Sequence, residues 1–196
     1  MTLIKQVTDH IISQLPKEVL LTEDDIEVLK QHEWFFTQNA DALIKDFYDV
    51  LFSNPETANL FHEGERPIRE ESFRNWINKT ITGDFDESYW QWQTYVGILH
   101  IKRKITNNVM ITMMGRVTDI VTTATFHQLP VDDALALKTA WIKLAAMVLS
   151  LISESYHYFY ITAISEVTGM TKGLLRNAVR VEIDNFVEKF KYIAES

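Results

Sequence analysis

One histidine, His100, stands inside Ser88-Tyr-Trp-Gln-Trp-Gln-Thr-Tyr-Val-Gly-Ile-Leu-His-Ile-Lys-Arg-Lys-Ile105. At helical spacing it shares a face with Val96 and Gly97, and with Trp92 or Gln93 a turn earlier. Gly97 is a poor helix former, about 1 kcal/mol worse than alanine. It makes sense there if something flat must approach the backbone closely. Lys102, Arg103 and Lys104 follow at once, with stems long enough to reach the acidic rim of a mostly apolar ligand. An apolar face, a small gap, an imidazole and then cations are what the edge of a haem needs. The plainer reading of a lone histidine on an apolar face is a core or interface residue, and this stretch alone leaves both open.

The rest of the composition narrows the chemistry. There is no cysteine among the 196 residues, which removes disulfides and thiolate ligands, so a metal must be held by His, Asp, Glu, Tyr or Met. A formal net charge of −8 argues against nucleic acid as the main partner, because neutralising phosphate requires a basic face. No apolar run reaches the roughly 18 residues of a membrane span. The start, Met-Thr-Leu-Ile-Lys-Gln-Val, lacks a signal-peptide core, so a cytoplasmic location is expected. With 6 Gly and 4 Pro the chain has few turn residues, and the expected fold class is all-α.

The elements that must carry His100 follow from periodicity. A stripe over 2–15 ends at Pro16. Thr22 with Glu23, Asp24 and Asp25 is a strong N-cap for a helix over about 23–36, and a second helix is expected over 39–53 with Phe47 facing the core and Tyr48 on its edge. Asn54-Pro55 breaks it. The stretch 62–68 reads as a loop, Pro67 opens a helix over 67–82, and Gly83 closes it. Asp84 and Asp86 start the His100 helix. Asn107 or Asn108 caps the next, to about 128, and the longest helix covers 131–165. Its main seam runs from Ala134 to Ser155, while Leu135, Ile142 and Leu149 lie off it, which suggests one face for the core and another for a partner. An amphipathic tail helix is expected over 171–193.

In this order and spacing the chain resembles the sensor globins, the globin-coupled sensor and protoglobin branch of the globins. Gly83-Asp-Phe-Asp-Glu-Ser-Tyr leading to Val-Gly-Ile-Leu-His100-Ile resembles that branch's passage from E helix to F helix and its proximal histidine. Phe47-Tyr48 within Lys-Asp-Phe-Tyr-Asp-Val-Leu resembles its B-helix motif with the distal tyrosine. Leu21-Thr-Glu-Asp-Asp and Asn54-Pro-Glu-Thr fit as well. The likeness spans about 20–165, giving a sensor-globin domain over 1–165 with an extra N-terminal helix and a C-terminal signalling or linker helix over 166–196. Where family members often carry Gly, then Ile or Leu, then Pro shortly after the histidine, this chain has Lys104-Ile-Thr-Asn-Asn.

The resemblance implies haem b, its iron bonded by His100 through Nε2 while Nδ1–H is donated to a carbonyl such as that of Val96. It implies O2 as ligand, with CO and NO as alternatives, Tyr48 as the donor to bound gas and Ser72 as a second donor. Phe73, Trp76, Ile77 and Val96 are assigned to the haem walls with Gly97, Met110 and Met113, and Arg103 to the acidic rim. In each case ordinary core packing is the rival. His62 is expected in a solvated loop. Signalling is expected through a homodimer formed by the helices at 107–128 and 131–165, and onward along the C-terminal helix to a downstream domain or protein. Sensor globins fused to a stressosome-type regulator are one such arrangement.

No enzymatic role is expected. Two other readings stay open. One is a haem globin enzyme acting on NO or peroxide at the same iron. The other is a haem-free globin-like module of a stressosome regulator, in which Tyr48 and His100 are packing residues.

Overall fold

The computed structural model describes residues 1–193, and among these there is no β-strand. The helices are α1 (Leu3–Ser13), α2 (Glu23–Gln31), α3 (Glu33–Ser53), α4 (Pro55–Ala58), α5 (Arg66–Thr82), α6 (Glu87–Lys102), α7 (Asn107–Gln128), α8 (Val131–Thr168) and α9 (Lys172–Phe190). The chain divides into two compact units, 1–156 and 157–196, with the boundary inside α8.

The first unit encloses one core, because α3, α7 and α8 each contribute a buried stripe. Leu137, Leu144 and Val148 of α8 are buried in one cluster with Val117 of α7 and Phe35 of α3. By length and composition α8 could cross a membrane, but half of its most apolar stretch is buried inside the fold. Phe36 and Trp141 bring α3 and α8 to a ring separation of 5.2 Å. Arg116 of α7 clamps Asp46 of α3 with two hydrogen bonds of 2.9 and 2.8 Å.

Helix starts follow the caps read from sequence. Thr22 and Asp25 form a reciprocal capping box at α2. Asp86 accepts the Tyr89 N–H at 2.9 Å and opens α6. At two helix starts the capping residue differs from expectation. The break falls at His32 rather than near residue 38, because the His32 N–H reaches back to the Val28 and Leu29 carbonyls. Thr37 and Asn39, at the gap expected between the two helices, return their side chains to the Glu33 and Phe35 carbonyls and leave α3 intact. The second difference is at α7, where Thr106 rather than an asparagine holds the N-cap position.

In the second unit, Ser165 Oγ donates to the Met170 carbonyl at 2.6 Å across the turn that Gly169 makes with φ +70°. Thr171 caps α9 by accepting the Leu174 N–H. A 3-10 turn, Lys191–Ile193, follows α9 where the sequence pattern continues as helix.

Candidate functional site

α6 is held from three directions, and these contacts place His100. Thr94 meets Thr8 of α1 in a buried hydroxyl pair at 2.7 Å. Gln93, fully buried, accepts the Trp76 indole N–H of α5 at 3.2 Å. Gly97 lies against α8: a Cβ added there would sit 2.5 Å from the Ile152 carbonyl oxygen and closer still to Ser155 Oγ. Gly97 therefore serves a close crossing of two helices. The sequence expectation that it makes room for a flat ligand is corrected, since its open face is already filled by the backbone of α8.

The last turn of α6 is closed by paired hydrogen bonds, Ile105 N–H to the His100 carbonyl and Lys104 N–H to the Ile101 carbonyl, both at 3.0 Å. This closure puts Lys104 at φ +59°, in the left-handed region. It is the position at which a glycine would relieve strain, and here a lysine bears it.

His100 Nδ1 lies 2.7 Å from the Val96 carbonyl oxygen. A carbonyl has no proton to give, so the ring donates there and Nδ1 carries the hydrogen. Burial pushes the imidazole pKa down; the Val96 bond offsets part of this and the nearby Arg103 charge adds to it. A neutral ring protonated at Nδ1 leaves its lone pair on Nε2, which has no hydrogen-bond partner among the described residues. That is the state in which imidazole ligates a metal. Among the described residues no cluster of three or more His, Asp or Glu could hold a metal ion.

Tyr48 of α3 is buried rather than on an edge. It sits among Phe47, Phe61 and Phe73, with ring separations of 5.1, 6.2 and 6.3 Å. Its hydroxyl donates to the Arg69 carbonyl of α5 at 2.7 Å. Desolvation pushes its pKa up to about 12, so the oxygen keeps its proton over the physiological range. Phe73 stacks on Trp76 at 5.8 Å, and Val96 packs against the same core. Ile77, Met110 and Met113 are buried core residues.

Ser72 does not take its expected place, and Arg103 already has a protein partner. Ser72 is exposed and its hydroxyl returns to the Ile68 carbonyl at 2.8 Å, so it is not aligned with the buried face of α5. Arg103 is engaged with Glu65, Nη2 to Oε1 at 2.8 Å, and its guanidinium lies 6.0 Å from the Phe61 ring centroid. Sequence reading missed Glu65: its pairing with Arg69 four residues on was open to a local pattern, but its bond to Arg103, 38 residues away, was not. His62 is exposed, as expected, and its backbone N–H bonds Glu65.

With this geometry in view, comparison places the chain among known proteins. An uncharacterized protein of Methanocaldococcus jannaschii is 33% identical over 55 residues, 28% of this chain; the chain spans only 29% of that relative. The globin domain of the Geobacter sulfurreducens globin-coupled sensor superposes with a TM-score of 0.66 at 20% identity, covering 80% of this chain and 99% of that one. The globin domain of E. coli DosC, in its ferric form, gives a TM-score of 0.58 at 12% identity, with 78% of this chain and 99% of that one covered. At those identities the structures speak for the fold alone: an all-α, globin-like fold. The Protoglobin family model matches residues 8–159, and the chain belongs to that family.

Proposed function

We propose that this chain is a haem-based gas-sensor globin that holds haem b through His100 and binds O2 on the Tyr48 side. The observation that carries the reading is the state of His100: a half-buried ring whose Nδ1–H is committed to the Val96 carbonyl, leaving Nε2 with no hydrogen-bond partner among the described residues. Family membership and the globin-sensor fold support it.

A bound haem would supply an iron centre that takes up a diatomic gas reversibly. The protein's part is positional. Val96 fixes the imidazole tautomer, and the closure at Lys104 and Ile105 fixes the turn that bears it. Phe73, Trp76 and Val96 offer apolar wall, with Met110 and Met113 deeper in the core. Tyr48 keeps a proton on its oxygen; by turning from the Arg69 carbonyl it offers a donor to a polar gas ligand, with CO and NO the weaker acceptors.

Signalling through a homodimer of α7 and α8 is part of the proposal. Ile111 and Phe126 on α7, and Val131, Leu135 and Ile142 on α8, are large exposed apolar residues on the two helices expected to pair. α9, with Val179, Ile183, Phe186 and Phe190 exposed, would carry the state to a downstream domain or protein, of the stressosome type or another. We assign no turnover to the site and place the protein in the cytoplasm.

The haem-free module is favoured by one observation, that the Tyr48 hydroxyl already has a protein acceptor in Arg69. An absorption spectrum after expression with haem supply separates the readings. A Soret band that shifts with O2 and CO supports the sensor, and its absence supports the haem-free module.

A further inference from the structure

Glu65 gathers three donors at the junction of two helices. It precedes α5, and its Oε1 accepts Arg69 Nε from the first turn of that helix at 2.8 Å. The same oxygen accepts Arg103 Nη2, from the residue that ends α6, at 2.8 Å, and Oε2 accepts the His62 N–H at 2.9 Å. The Glu65 side chain is only 10% exposed. Together these contacts, with the His62 bond first, draw its pKa down to about 2, so it is ionised.

The cluster is not neutral. One carboxylate faces two guanidinium groups, which leaves one positive charge over. Arg103 uses only Nη2 for Glu65 and Arg69 only Nε, so among the described residues the other nitrogens of each guanidinium make no hydrogen bond. Both arginines are thus held in fixed directions with donors to spare. The cluster adjoins both candidate ligand-facing residues. Arg103 lies three residues beyond His100, and the Arg69 carbonyl holds the Tyr48 hydroxyl. The Phe61 ring beside Arg103 also flanks Tyr48. A flat apolar ligand with carboxylates on one edge, seated by His100, would bring that edge to this rim.

Resting on the haem reading, we propose that Glu65 is a positioning residue that orients Arg69 and Arg103 as a paired seat for the haem carboxylates. The sequence expectation put Lys102, Arg103 and Lys104 within reach of the acidic rim and assigned Arg103 to it; the structure adds the carboxylate that holds Arg103 and a second arginine on that carboxylate. Charge-assisted hydrogen bonds of this kind are strong enough to matter at a partly shielded rim.

The test uses the full chain loaded with haem, and separately with haem whose two carboxylates are esterified. Haem loss to an excess of apomyoglobin gives the off-rate. Glu65→Gln is expected to speed loss of ordinary haem about tenfold and to leave loss of the diester unchanged. Arg103→Gln should do the same, and the double variant should be little worse than either single one, because both remove one seat. Circular dichroism checks that each variant is folded. Equal acceleration for both porphyrins would show a merely structural Glu65 and overturn the proposal, as would no acceleration for either. A wild-type chain that retains no haem would refute the haem reading itself, and this seat with it.

Discussion

Gly97→Ala separates two roles for one residue. If the glycine lets α6 cross α8, an added Cβ lies 2.5 Å from the Ile152 carbonyl oxygen and closer to Ser155 Oγ. The serine can rotate away, but the carbonyl belongs to the backbone of α8, so the helices must part by roughly 1 Å to restore ordinary contact. Overpacking of this kind costs about 1–3 kcal/mol, and here the upper end applies because backbone has to move. Alanine returns about 1 kcal/mol of helix propensity. The net expectation is a loss of about 2 kcal/mol in the haem-free protein, a fall of about 4–8 °C in Tm for a chain of this size. Thermal unfolding of the apoprotein by circular dichroism measures it. If glycine instead makes room for a ligand, the apoprotein gains stability from the alanine and only haem uptake suffers. An unchanged or higher apo Tm would refute the helix-crossing account.

Three further outcomes are expected. Tyr48→Phe removes the buried hydroxyl, leaves the Arg69 carbonyl without its donor at a cost of about 1 kcal/mol, and speeds O2 release in stopped-flow; an unchanged release rate removes Tyr48 from the gas side. Lys104→Gly relieves a non-glycine residue at φ +59° and should stabilise the protein by up to about 1 kcal/mol in urea unfolding; destabilisation would show that the left-handed closure is not strained. Glu65 titrates near 2 in the folded chain, below its ordinary value, so its stabilising contribution is complete above the ordinary carboxylate range and is lost as pH falls from there through about 2. Carboxyl-carbon NMR titration checks this, and a Glu65 midpoint near 4 would contradict its pairing with Arg69 and Arg103.

What could be read from the sequence was local. The caps at Thr22 and Asp86, Pro67 in the first turn of α5 and the closure near Gly83 rest on interactions within four residues, and the structure has them. The bond from His100 to the Val96 carbonyl is one turn long and was legible for the same reason. The gap expected between residues 36 and 39 is continuous helix, with Thr37 and Asn39 bonding back to their own turn. Ser72, expected as a second donor, lies on the exposed face of α5 with its hydroxyl returned to the Ile68 carbonyl. Gly97 and Arg103 depended on partners 55 to 58 and 38 residues away, Ile152 with Ser155 and Glu65 respectively. A small residue and a cation announce that something lies close without saying what. Lys104 is the converse: the closure of α6 puts it at φ +59°, where glycine is favoured, and the lysine there announces nothing of that turn in the sequence.

The central claim is that the Nε2 lone pair of His100 holds iron. The most direct measurement is the absorption spectrum of His100→Ala beside the wild type, both purified after expression with haem supply, and again with free imidazole added. The account predicts a stoichiometric Soret band in the wild type, its loss in the variant, and partial recovery when imidazole fills the place of the missing ring. Haem retained by His100→Ala at the wild-type ratio, with an unshifted spectrum, would contradict it.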